Sequence, residues 1–160
     1  MNIWKKIFGI SLAVGLSVGI SFAPVYADTI SILDEITEEE TTEDWAEDTS
    51  TVLARSSNLN FGNMKIQRVA SNEIVIHGLT QCHKKCSKVY LSIYLERKVN
   101  GSYGTYKYWN FTADNVTKLS KEIDVAVPSG TYYRVRGYHA ASNAGVKEST
   151  STLTQGIMVK

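Results

Sequence analysis

From Val89 to Glu96 apolar and polar residues alternate without a fault: Val89, Leu91, Ile93 and Leu95 on one side, Tyr90, Ser92, Tyr94 and Glu96 on the other. A period of two puts each set on one face of a β-strand, so the first set reads as core and the second as exposed. A helix would scatter both sets around its circumference. The habit recurs with Leu119, Ile123, Val125 and Val127 facing inward on a later strand and Trp109 and Phe111 inward on the one before it. No helical period is sustained between Leu59 and Lys160. Turn signals punctuate the run, Asn100-Gly101-Ser102 the clearest. Strands are expected near residues 63–70, 73–79, 88–99, 104–113, 118–127, 131–141 and 148–158. Seven short strands in about 100 residues suit an all-β, immunoglobulin-like sandwich over residues 59–160.

Two segments precede that domain. Lys5 and Lys6, the apolar run from Ile7 to Ala23 and the ending Pro24-Val25-Tyr26-Ala27 read as a secretory signal peptide, residues 1–27, cleaved between Ala27 and Asp28. No second long apolar run follows, so the expectation is a secreted, extracellular product without stable membrane insertion after signal removal, free or associated with the cell wall. The formal net charge of +1 conceals a segregation: Asp28 to Asp48 holds ten acids and no base, whereas Thr49 onward holds six acids and fifteen bases. Residues 28–58 are therefore read as an acidic arm and linker, by default disordered and solubilising. The alternative is that the arm folds back on its basic domain. Ile30, Ile32, Leu33, Ile36 and Trp45 are apolar residues that a purely solvating tail does not need, and a short tether keeps the local concentration high. Cleavage at Arg55 would then free a basic domain.

Cys82 and Cys86 are the only cysteines and fall between the second and third expected strands, where a disulfide is expected outside the reducing cytosol. A zinc site with His83 and either His77 or His139 is the rival, but it lacks the paired spacing of structural zinc modules. No metal and no cofactor are expected. Neither H-E-x-x-H nor a Gly-rich phosphate loop occurs, and nothing in the spacing gathers His77, His83 and His139 with an acid, so no enzymatic activity is expected.

The stretch Val127-Pro128-Ser129-Gly130-Thr131-Tyr132-Tyr133-Arg134-Val135-Arg136 resembles the entry to the sixth strand of fibronectin type III domains, a resemblance that implies a sandwich with Tyr133 as its corner tyrosine. It implies no function. Through Cys82-His83-Lys84-Lys85-Cys86 and Tyr133-Arg134-Val135-Arg136-Gly137-Tyr138-His139 the whole chain is similar to an uncharacterised family of small secreted proteins from Gram-positive bacteria.

In such a sandwich the third, fourth and sixth strands share a sheet, with the sixth beside the third. Their outward positions are Tyr90, Tyr94, Tyr106, Tyr108, Tyr132, Arg134, Arg136 and Tyr138. Tyrosines offer flat area with a hydroxyl, and arginines grip phosphate or carboxylate. The same pairs equally serve as sheet stabilisers worth some tenths of a kcal/mol each. The first functional expectation is a binding module for an anionic cell-surface polymer, such as teichoic acid, or an extracellular protein. The secretory route argues against nucleic acid. The alternatives are a toxin or bacteriocin-like protein with the acidic arm as propeptide, and a small hydrolase.

Overall fold

The computed structural model describes residues 39–51 and 56–160. The signal segment, its Ala27–Asp28 cleavage point, arm residues 28–38 and Arg55 lie outside the described residues. Seven strands follow in order: β1 Trp45–Thr51, β2 Leu59–Ala70, β3 Glu73–Val99, β4 Ser102–Ala126, β5 Thr131–Asn143, β6 Val146–Leu153 and β7 Ile157–Val159. All strand pairs are antiparallel. Among the described residues no helix is long and apolar enough to cross a membrane.

The spine is one long hairpin. Asn100 and Gly101 both take positive φ, 51° and 83°, the backbone of a tight two-residue turn whose twist matches the strands it joins. From there β3 and β4 run antiparallel over nearly their whole length. Residues 73–82 of β3 pair with β2 on their other edge, while residues 88–97 pair with β5. The hairpin thus belongs to two layers and is creased between them. Four segments expected as separate strands are halves of two continuous ones. At the crease β3 advances from Gln81 to Cys86 while β4 moves only from Lys118 to Val116, leaving three extra residues on β3. An odd excess moves the buried positions from Ile74 and Ile76 to Val89, Leu91, Ile93 and Leu95.

Between the layers lie Met64, Ile66, Ile74, Ile76, Leu91, Ile93, Leu95 and Val135, all fully buried. Gly78 lets the layers close: a Cβ there would meet Ile93 and Leu91 at 3.0 Å and Met64 at 3.1 Å. Each such aliphatic side chain contributes about 2 kcal/mol of burial, several times a cross-strand pair on an exposed face. The core therefore holds the fold without needing the outer tyrosines. Tyr133 is fully buried and its hydroxyl donates to Pro128 O at 2.8 Å, tying β5 to the turn before it.

Two expectations are corrected. The domain does not start at Leu59 with an unstructured acidic arm before it, because Trp45–Thr51 forms an edge strand on β2 and buries Ala46. Its carboxylates find partners instead of repelling one another. Asp44 pairs with Arg68, Glu47 accepts from Asn63 Nδ2 at 2.7 Å, and Asp48 accepts the Leu153 N–H at 2.7 Å, stitching β1 to β6. Nor are Cys82 and Cys86 a disulfide in an end loop: both are buried free thiols inside β3, flanking the crease. Cys86 Sγ is directed at the carbonyls of Lys84, 3.5 Å, and Asn58, 3.9 Å. Burial above all, with Cys86 alongside, pushes the Cys82 thiol up to about 12.

Candidate binding face

β3 beyond the crease has β4 on one side and β5 on the other, as expected for the tyrosine face. Alternation opposite the core carries Tyr90 and Tyr94 of β3, Tyr108 of β4, and Tyr132, Arg134, Arg136 and Tyr138 of β5 to the outside. The register sets Tyr94 between Tyr108 and Arg136, and Ser92 beside Tyr138. Tyr94 and Tyr108 stack at 6.3 Å between centroids, and Arg136 lies over Tyr94 at 4.3 Å. Lys147 of β6 bridges Tyr90 and Tyr138, at 4.5 and 5.8 Å from their rings. Tyr108 is the most open of these rings, 65% exposed.

Tyr106 is not on this face. Leu95 pairs with Lys107 and Glu96 with Thr105, so Tyr106 is the extra residue of a bulge and turns to the core side, edge-on to Tyr133 at 6.1 Å. Tyr103 takes its place outside, with Arg134 over its ring at 4.0 Å and Lys98 at 5.4 Å. Sequence reasoning missed Tyr103 because the alternation that would have found it changes phase at that bulge.

Glu96, 7% exposed, lies beneath the arginines. Its carboxylate accepts from Arg134 Nε at 2.8 Å and Arg136 Nε at 3.1 Å, fixing both guanidinium groups. Lys98, Arg134, Arg136 and Lys147 set four positive charges against that one acid. The remaining compensation comes from the N-terminal segment. Lys98 Nζ bonds Glu40 and lies 3.3 Å from Glu39 Oε2, Arg134 Nη1 is 3.7 Å from Glu39, and the Tyr103 hydroxyl donates to Glu40 at 3.3 Å. Backbone bonds between Thr41 N and Gly156 O and between Gly156 N and Glu39 O, both 2.9 Å, hold the segment there. The Glu40 hydrogen bond raises the Lys98 pKa, and burial followed by the Glu40 charge raises that of Tyr103. Trp45 is not part of this contact: it is 48% exposed beside β2, with Lys65 over its ring at 5.2 Å.

The three histidines lie apart in role. His77 pairs with Glu122 at 3.1 Å on an open strand face, and His83 is exposed at the crease. His139 is fully buried between the layers, with Nδ1 and Nε2 each 3.0 Å from a threonine hydroxyl, Thr80 and Thr152. Thr80 spends its own proton on Tyr90 O, so Nδ1 carries the imidazole hydrogen and Nε2 accepts from Thr152. Among the described residues no three His, Cys, Asp or Glu side chains converge to hold a metal ion.

A family model described as a family of unknown function, DUF6147, matches residues 32–157. The curated proteins contain no match. Among solved structures, the crystal structure of chicken MD-1 complexed with lipid IVa aligns at 12% identity and a TM-score of 0.31, covering 72% of this chain and 92% of that one. A likeness at that level transfers neither ligand nor activity.

Proposed function

Because the chain belongs to DUF6147, a family of unknown function, its role is read from its own geometry, and we propose a secreted, non-enzymatic binding module whose Tyr- and Arg-rich sheet face engages an anionic cell-surface polymer. In this reading residues 1–27 direct export from a Gram-positive bacterium and are removed after Ala27, and the product stays in or near the wall. The observation that carries it is the seating of Glu39 and Glu40 on Lys98, Arg134 and Tyr103. Two successive carboxylates on a chain already occupy one end of the face, as the charges of a polyanion would. Guanidinium groups fixed by Glu96 and backed by tyrosine rings present hydrogen-bond donors at little further entropic cost. The acidic segment is then a partial mask that a longer polyanion displaces.

The test is binding of residues 28–160 to isolated cell walls across a salt series, beside the E39Q/E40Q variant. The expected result is retention that weakens as salt rises and is stronger for the variant. Absence of binding by both proteins at low salt would sink this reading and turn attention to a protein partner for the tyrosines.

A further inference from the structure

Around the bulge that turns Tyr106 inward, the molecule gathers a second group of cations, on the opposite side of the sheet from the face described above. Arg97 lies over the Tyr106 ring at 5.0 Å and Lys107 at 5.4 Å. Two positive charges thus share one ring and sit within about one Debye length of each other at ordinary ionic strength. Neither has a carboxylate within salt-bridge distance among the described residues. That sets them apart from Lys98, Arg134 and Arg136, which Glu39, Glu40 and Glu96 already neutralise. Both are also held in place. Arg97 stands opposite the buried Tyr133 in the β3–β5 register, and Lys107 Nζ reaches Ala126 O in the other layer at 3.5 Å. Beside Arg97 opens a surface pocket of about 330 Å³ whose wall also includes Tyr103, Gly104, Thr105 and Tyr106, the ring that Lys107 shares. Nothing crowds the position of a Gly104 side chain.

We propose that Arg97 and Lys107, organised on the Tyr106 ring, form a site for a single phosphate group. An anion there relieves the repulsion of two unpaired cations, and a guanidinium fork matches phosphate oxygens in pairs. The inference does not depend on whether the outer face binds a polymer, because Arg97, Lys107 and Tyr106 are not part of that face; Tyr103 alone borders both.

The experiment is NMR titration of residues 28–160, which include every described residue, at constant ionic strength. One arm uses inorganic phosphate and the other dimethyl phosphate, standing for a free anion and for a phosphodiester within a polymer. The expected result is a saturable shift of the Arg97 Nε–H and Tyr106 ring signals in at least one arm, the tighter arm naming the source. K107Q should weaken that binding about fivefold, while K84Q, an equal charge change at the exposed crease, leaves it unchanged. R97Q should weaken it at least as much, and the exposed Lys107 supplies the variant that does not disturb packing. Linear shifts spread over all lysines in both arms, or equal effects of K107Q and K84Q, would mean diffuse screening and overturn the site.

Discussion

The carboxylate of Glu148 on β6 accepts the N–H of Leu59, the first residue of β2, at 2.8 Å. The N–H groups of Asn58 at 2.9 Å and Ser57 at 3.0 Å and the hydroxyl of Ser56 converge on the same two oxygens. One side chain thereby pins the start of β2 to a strand of the other layer. Burial pushes the Glu148 pKa up, but the hydrogen bonds from Ser56, Leu59, Ser57 and Asn58 outweigh it and bring it down to about 2.

A folded-state pKa below the ordinary 4.5 means that this stabilisation is complete above about pH 4.5 and is lost as pH falls through about 2. E148Q should cost about 2 kcal/mol near neutrality and flatten the acid limb of stability. Urea unfolding of both proteins at a series of acid pH values reads both effects. An acid limb in E148Q as steep as that of the parent would show that other carboxylates set it.

His139 is kept neutral mainly by burial, which lowers its pKa to about 4, with a backbone hydrogen bond to Leu79 opposing. The unfolded chain takes up this proton near pH 6.5 and the folded one only near 4, so stability falls as pH drops through that window and levels off below it. Nitrogen-15 shifts should report the Nδ1–H tautomer at pH 6, and an imidazolium signal there would refute the assignment.

Gly62 faces the same ring. A Cβ at this position would lie 2.3 Å from His139 Cγ and Cδ2, which neither layer can relieve without parting from the other. G62A should destabilise the fold by about 3 kcal/mol, read as a lower urea midpoint.

Removing residues 28–58 should lower stability and promote aggregation. It takes away β1 and the Asp48–Leu153 contact, and it leaves the β2 edge open. Superimposable unfolding curves for residues 28–160 and 59–160 would show β1 to be an appendage.

Much of this architecture was legible residue by residue. Val89, Leu91, Ile93 and Leu95 are all fully buried, the Asn100-Gly101 turn stands where it was read, and β5 lies beside β3. These rest on alternation and turn chemistry, which act over a few neighbouring residues. The candidate face was legible to the same depth: seven of its eight residues share one side. Tyr106 was lost because one extra residue in β4 reverses every inference from alternation beyond it. Glu96 was read as exposed, since alternation reports the side of a sheet and not what lies over it; Arg134 and Arg136 cover it.

Local patterning along the chain is thus enough for the strand-rich character, the inward apolar positions and the segregation of acid from base. Tertiary structure alone decided where the acids go. Asp48 meets Leu153, Glu40 meets Lys98 and Glu148 meets Leu59 across separations of 58 to 105 residues. Charge pattern registers that such partners are needed, but only the folding of the β3–β4 hairpin into two layers brings a particular carboxylate within reach of a particular donor. The state of Cys82 and Cys86 was decided in the same way, because the crease that buries them exists only once β2 and β5 occupy the same edge of one strand.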